Sequence, residues 1–305
     1  MIGRRWALTL IAVMTLSGSG AGGAEDGGGE PYRPPTLPQL REHARDALTR
    51  YDKAVGEVRG VRRFVPVGDL TTTVGELETA NEDLKRAVVA GQLFLASALP
   101  LATPRSGTIV WADGVSRSVP VLSAEDALAA HRAHDGVGCD GCAPLAVTGA
   151  RLVTMHVHTT RGEATMPAWE YALNGTALRV TYAAVGRSDV VTVTSPPWDP
   201  SHPLPGEAIA TATTAMNSRD LTVSFIGGLG PASEPCGVDY HAEAIESGNA
   251  VIVILMVERR HGDGNEICTL VGYPRTESVL LARPLGERAV LEGQQGTPVA
   301  VTVTG

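Results

Sequence analysis

The stretch WEYALNGTALRVTYAAV, residues 169–185, decides how the chain is read. Its halves are rich in aromatic and β-branched residues, and Asn174-Gly175 stands between them. Both turn residues tolerate positive φ, so the dipeptide predicts a tight hairpin between antiparallel strands. Just upstream, Leu152, Thr154, His156 and His158 alternate with Val153, Met155 and Val157. That is the period of two of a strand with one solvated face. Downstream, short strands are expected over 189–194, 219–226, 239–246, 249–257, 266–273, 276–283 and 297–303. Such even spacing predicts antiparallel sheets arranged as a sandwich or a barrel.

Towards the N-terminus the apolar spacing changes to three and four residues. Leu40, Ala44, Leu48, Tyr51, Val55 and Val58 predict a helix, with Gly60 placed to end it. Thr79-Ala80-Asn81-Glu82 reads as a capping box opening a second helix through Leu84, Ala87 and Val88 to Gly91. Ser123-Ala124-Glu125-Asp126 opens a third, which carries Leu128, His131 and His134. The expected fold class is therefore α+β, mostly antiparallel β, with about three helices in the N-terminal half. SPPWDPSHPLPG, residues 195–206, holds five prolines, which exclude a central strand. It is taken as a boundary (196–206) between an α+β domain over 39–195 and a β domain over 207–305.

The first 24 residues have the plan of a secretory leader. Arg4 and Arg5 precede an apolar run from Trp6 to Leu16, and small residues from Ser17 to Ala24 offer a cleavage site after Ala24. A Gly- and Pro-rich linker, residues 25–38, follows. Export is the expectation, to the cell surface or beyond, with no integral membrane span once the leader is removed. The longest other apolar run, Ala250 to Val257, is too short to cross a bilayer and suits a buried strand. The formal charge of −8 falls to −10 without Arg4 and Arg5. An acidic domain of this kind is a poor partner for nucleic acid or anionic lipid, both of which need basic patches.

Four cysteines, Cys139, Cys142, Cys236 and Cys268, all lie downstream of the leader. In an exported chain they are expected to form two structural disulfides. Three pairings are possible; 139–142 with 236–268 is favoured, because Asp140-Gly141 allows a tight turn within the first pair. A redox Cys-x-x-Cys belongs at a helix N-terminus after a strand. Here a helix precedes the pair, and Ala143-Pro144 and a strand follow it. The alternative is zinc, held by His131, His134, Cys139 and Cys142, a ligand set that a tetrahedral site accepts. Without it no cofactor is expected.

Other candidates have plainer explanations. His156 and His158 share a strand face with Thr154, while Val153, Met155 and Val157 take the core side. Asp239, Tyr240 and His241 offer a general base only as any polar run near a turn would. Gly227-Gly228-Leu229-Gly230 meets Pro231 instead of a helix, so it is a loop and no phosphate cradle. Trp169 is expected to pack a sheet, and the sequon Asn174-Gly175-Thr176 is explained by its turn. The chain holds no HExxH, Walker loop or EF-hand spacing.

The phrases GTIVWADGVSRSVPVLSAEDAL (107–128), CDGCAPLAVTGARLVTMHVHTTRGEATMPAWEYAL (139–173), CGVDY (236–240) and VLLARPLGERAVLEGQQGTPVAV (279–301) resemble a group of exported proteins of actinomycetes, many of them lipoproteins. The resemblance implies an extracytoplasmic location and carries no catalytic residue with it. This chain departs from the lipoprotein members in having no cysteine near the cleavage site. The function expected is that of an exported, non-catalytic binding or structural module of the cell envelope, with an envelope or extracellular ligand as partner.

Overall fold

The computed structural model describes residues 35–58, 63–77, 80–96, 98–99, 102–132, 141–196, 205–259, 268–269 and 271–305. The leader, most of the first linker, Gly60, Thr79, His134, Cys139 and most of the Pro-rich boundary lie outside them.

The α+β class is as read. Helix α1 (Leu37–Glu57) starts inside the stretch assigned to the linker. Its start is set by Thr36, whose N–H donates to Gln39 Oε1 at 2.8 Å, with a proline in the first turn, where no N–H is needed. Helix α2 (Glu82–Val89) is capped by Asn81, whose side chain accepts from Leu84 N–H at 2.8 Å. Helix α3 (Ala124–Arg132) opens as expected, with Ser123 Oγ accepting from Asp126 N–H at 3.0 Å.

Among the described residues the strands form three sheets. The first contains β1 (Thr71–Val74), β2 (Leu93–Leu95), β3 (Ser106–Trp111), β4 (Ser116–Pro120), β5 (Leu145–Thr159), β6 (Gly162–Leu173) and β7 (Arg179–Ala183). Its order is β1-β7-β6-β3-β4, with β5 along the other side of β6 and β2 beside the start of β5. The hairpin read from Asn174-Gly175 exists, but its loop spans 174–178 instead of two residues. Thr176 Oγ1 takes the Leu178 N–H at 3.1 Å and Leu178 buries its side chain, so the ladder resumes only at Arg179.

The second sheet is β10 (Val238–Glu246), β11 (Ala250–Arg259) and β13 (Ala289–Glu292); the third is β12 (Tyr273–Leu280), β9 (Asp220–Gly227), β8 (Thr211–Ala215) and β14 (Ala300–Thr304). They form a sandwich around Val223, Phe225, Tyr240, Val251, Val253, Leu255, Val290 and Val301. On the other side of β11, Ala250, Ile252 and Ile254 pack against Leu40, Ala44, Leu48 and Tyr51 of α1. Thus α1, from the N-terminal part of the sequence, completes a C-terminal layer. Polar contacts fix it there: Arg41 binds Glu243 at 2.7 and 2.8 Å, His43 Nε2 meets Gln294 O at 2.7 Å, and Asn249 Nδ2 donates to Asp52 at 2.9 Å.

The strand expected over 189–194 is absent: Arg187–Asp189 is a 3-10 turn, and Val191 N–H donates to Phe64 O at 2.9 Å in a single link. Phe64 and Val190 enter the core of the first sheet while their neighbours Val65 and Val191 enter the α1 core, so the segment bridges two cores through side chains while its one backbone link is not extended into a ladder. Likewise the strand expected over 266–273 gives way to one that starts at Tyr273; residues 268, 269, 271 and 272 are not strand.

Cys236 and Cys268 are joined, with Cα atoms 5.6 Å apart. The bond ties the turn before β10 to the approach to β12, so it links the two sheets of the sandwich. Closing a loop of that length is worth about 3–4 kcal/mol through the unfolded chain.

Candidate functional site

Ladder register places the site. Thr72 pairs with Thr181, Thr181 with Glu170, and Glu170 with Arg151. Directly paired residues of antiparallel strands share a face, so these four form one row across β1, β7, β6 and β5. In the next row Val74 pairs with Arg179, and Arg179 with Ala172. The opposite face at this level is sealed: Trp169, Tyr171, Val180 and Tyr182 pack with α2 and α3. Trp169 Nε1 donates to Leu122 O at 2.8 Å and Tyr171 Oη to Ala124 O at 2.6 Å, which hold α3 against the sheet.

Farther along the same face, Met155, Met166 and Ala168 are covered by Phe64 and Val190. The covering ends short of Glu170. An open trough of about 470 Å³ is left, floored by Glu170 and Thr181 and bordered by Thr72 and Val74 of β1 and by β5 from Arg151 through Val153 to His156.

Glu170 is 7% exposed and its carboxylate is held from both sides. Arg151 Nε and Nη2 donate at 2.8 and 3.2 Å, and Arg179 Nη1 donates at 3.1 Å. The Arg151 bond, more than any other influence, holds the Glu170 carboxyl below the ordinary glutamate range, against the opposing effect of burial. The guanidiniums themselves reach solvent, with 65% and 45% of their side chains exposed. Two cations share one anion, so the trough carries a surplus positive charge with unused donors facing out.

None of these residues stands out in the sequence. The available signal is a lone Glu170 between Trp169 and Tyr171, a charge where the alternation calls for a half-buried position. Its partners become visible only with register, because Arg151 and Arg179 lie 19 and 9 positions away.

Of the residues singled out from sequence, His156 borders the trough; the others fall elsewhere. His156 and His158 take the solvated face with Thr154, as expected, and His158 Nδ1 meets Glu163 at 2.7 Å. Asp239, Tyr240 and His241 do not converge. Tyr240 is buried, stacks edge-on to Phe225 at 4.8 Å and accepts the Gly228 N–H at 2.7 Å, while His241 lies exposed 3.5 Å from Glu258. The same contact explains Gly227: a Cβ there would stand 2.6 Å from the Tyr240 oxygen.

Of the zinc set, His134 and Cys139 lie outside the described residues. His131 stacks on Tyr182 with ring centroids 3.5 Å apart, and Cys142 is disulfide-bonded. Among the described residues no group of three or more His, Cys, Asp or Glu is arranged to hold a metal ion, and no helix is long and apolar enough to cross a membrane.

No protein family matches the chain, and no curated protein or solved structure matches it either.

Proposed function

We propose that the chain is an extracytoplasmic binding module of the cell envelope, stabilised by disulfides, that receives its ligand in the trough of the first sheet. The observation that carries this reading is the Arg151–Glu170–Arg179 group. A buried carboxylate fixes two guanidiniums whose outer edges remain in water at an uncovered stretch of an otherwise packed sheet. Preorganised donors of this kind bind anionic or hydroxyl-rich groups at low ordering cost. The leader-like first 24 residues and the Cys236–Cys268 bond support an oxidising compartment.

The test fills the trough without disturbing its ion pairs. Thr72 is exposed on β1, so Thr72→Tyr projects a ring over the row while the fold is retained. Purified protein is sedimented with isolated bacterial cell-wall particles. Retention of the wild type, reduced at least tenfold in Thr72→Tyr, supports the trough. Equal retention of both proteins, or none of either, contradicts it.

A further inference from the structure

The edge of β5 beside this trough offers a second recognition surface, which shares Arg151, Thr154 and His156 with it but uses the outward main-chain groups of the strand. On one side β5 pairs with β6 along nearly its whole length. On the other, β2 covers only Leu145, Ala146 and Val147, and Pro66 meets Thr159 at the far end. Between these, among the described residues, no strand pairs with β5.

Bond parity shows which groups face outward. His158 O accepts the Val67 N–H at 2.9 Å, on the side away from β6. Alternate residues of a strand point their amide groups the same way. Ala150, Leu152, Thr154 and His156 therefore present N–H and C=O groups outward, a row of ladder sites ready for another strand. Leu152, Thr154 and His156 are exposed. The usual protections of a long edge, a lysine or proline on it or a bulge midway, do not occur between Ala150 and His156.

We infer that this edge binds an extended peptide by strand addition, and that the peptide carries an acidic residue next to an apolar one. In an added strand, the residue opposite Arg151 shares Arg151's face and meets the surplus positive charge. Its neighbour opposite Leu152 shares the other face and covers a side chain that is 37% exposed. Main-chain bonds supply affinity and these two positions supply selectivity.

The probe is a display library of short random peptides, sorted on the full chain. Binders enriched in adjacent acidic and apolar residues are expected. Thr154→Pro removes one outward N–H, a change that an edge strand tolerates, and is expected to weaken the selected peptides at least tenfold while the thermal midpoint holds. In the unaltered protein, saturating peptide should slow amide exchange of Leu152, Thr154 and His156 at least tenfold, a readout that needs no variant. Absence of enriched peptides, equal binding to a folded Thr154→Pro protein, or unchanged exchange at these amides overturns the inference. Cell-wall retention sensitive to Thr72→Tyr would leave the trough standing in that case, and peptide binding that ignores Thr72→Tyr would separate the edge from it.

Discussion

The β10-β11-β13 sheet and the β5-β6-β7 region differ in what covers them. In β11, Ala250 to Leu255 is an unbroken apolar run. Val251, Val253 and Leu255 face one sheet while Ala250, Ile252 and Ile254 face α1. Both faces are sealed, so neither side of the strand needs a polar residue. In β6 the covering stops partway, and Glu170 occupies the first uncovered row. Charge enters this fold where its layers end.

The same contrast separates two ion pairs of like chemistry. Arg288 is 5% exposed and is surrounded: it binds Glu246 and donates to the carbonyls of Arg283, Pro284 and Leu285. It holds the 283–288 turn to β10 and has no face left for a ligand. Arg151 makes the same kind of bond with most of its side chain in water. Arg288→Ala should therefore cost about 3–5 kcal/mol, because Glu246, held then by the Ala282 N–H at 2.6 Å, is left partly buried without its cation. Arg151→Ala should cost about 1 kcal/mol or less, since Arg179 still holds Glu170. Chemical denaturation of both variants measures the gap, and equal losses would erase the distinction.

Ile252, fully buried between α1 and β11, is the next largest test. Ile252→Ala should cost about 2–5 kcal/mol as lost transfer energy plus a cavity. A loss under about 1 kcal/mol would mean that α1 does not seal this face.

Glu170 gives an intermediate effect with a pH signature. Its folded pKa is lowered, so its contribution is complete above the ordinary glutamate value and disappears as pH falls through the folded one. Glu170→Gln should lower stability by about 1–2 kcal/mol at pH 7. The gap between wild type and variant should close from about pH 5 downward. Glu243, held by Arg41, and Glu246, held against burial by the Ala282 N–H and then Arg288, are also shifted down, but they titrate in both proteins and cancel. A gap that stays constant to pH 3 would dissociate Glu170 from its arginines.

The smallest effect belongs to the outer face of the third sheet. Thr211, Thr213, Thr222, Ser224, Thr276, Ser278 and Thr302 line it, with Thr222 and Ser278 hydroxyls 3.0 Å apart. Thr213→Ala should change stability by less than about 0.5 kcal/mol. A larger loss would indicate that this face is covered.

What the sequence disclosed follows the range of the interactions. The Ser123 box and the unbroken β11 run are local patterns, and they gave a helix start and a strand sealed on both sides. The pairing of Cys236 with Cys268 is the one left once the Asp140-Gly141 turn favours Cys139 with Cys142. The strands at Thr71, Ser106 and Ser116 were not read, because their alternation is weak and pairing with β7 and β6 holds two of them in place. Of the trough, Glu170 between Trp169 and Tyr171 is the one local trace. The trough itself depends on a register that brings Thr72, Thr181, Glu170 and Arg151 into one row, and on where Phe64 and Val190 stop covering the face. No neighbouring residues in the chain encode either fact.

Amide hydrogen exchange by NMR on the free, full chain tests the contrast between sealed and open sheet most directly. The account predicts that Ile252, Val253 and Ile254 exchange only with global unfolding, and that Leu152, Thr154 and His156 exchange fastest within the strands while Arg151 and Val153, bonded towards β6, stay protected. Protection at Leu152, Thr154 and His156 equal to that of β11 would contradict it, because something would then already cover the edge beside the trough.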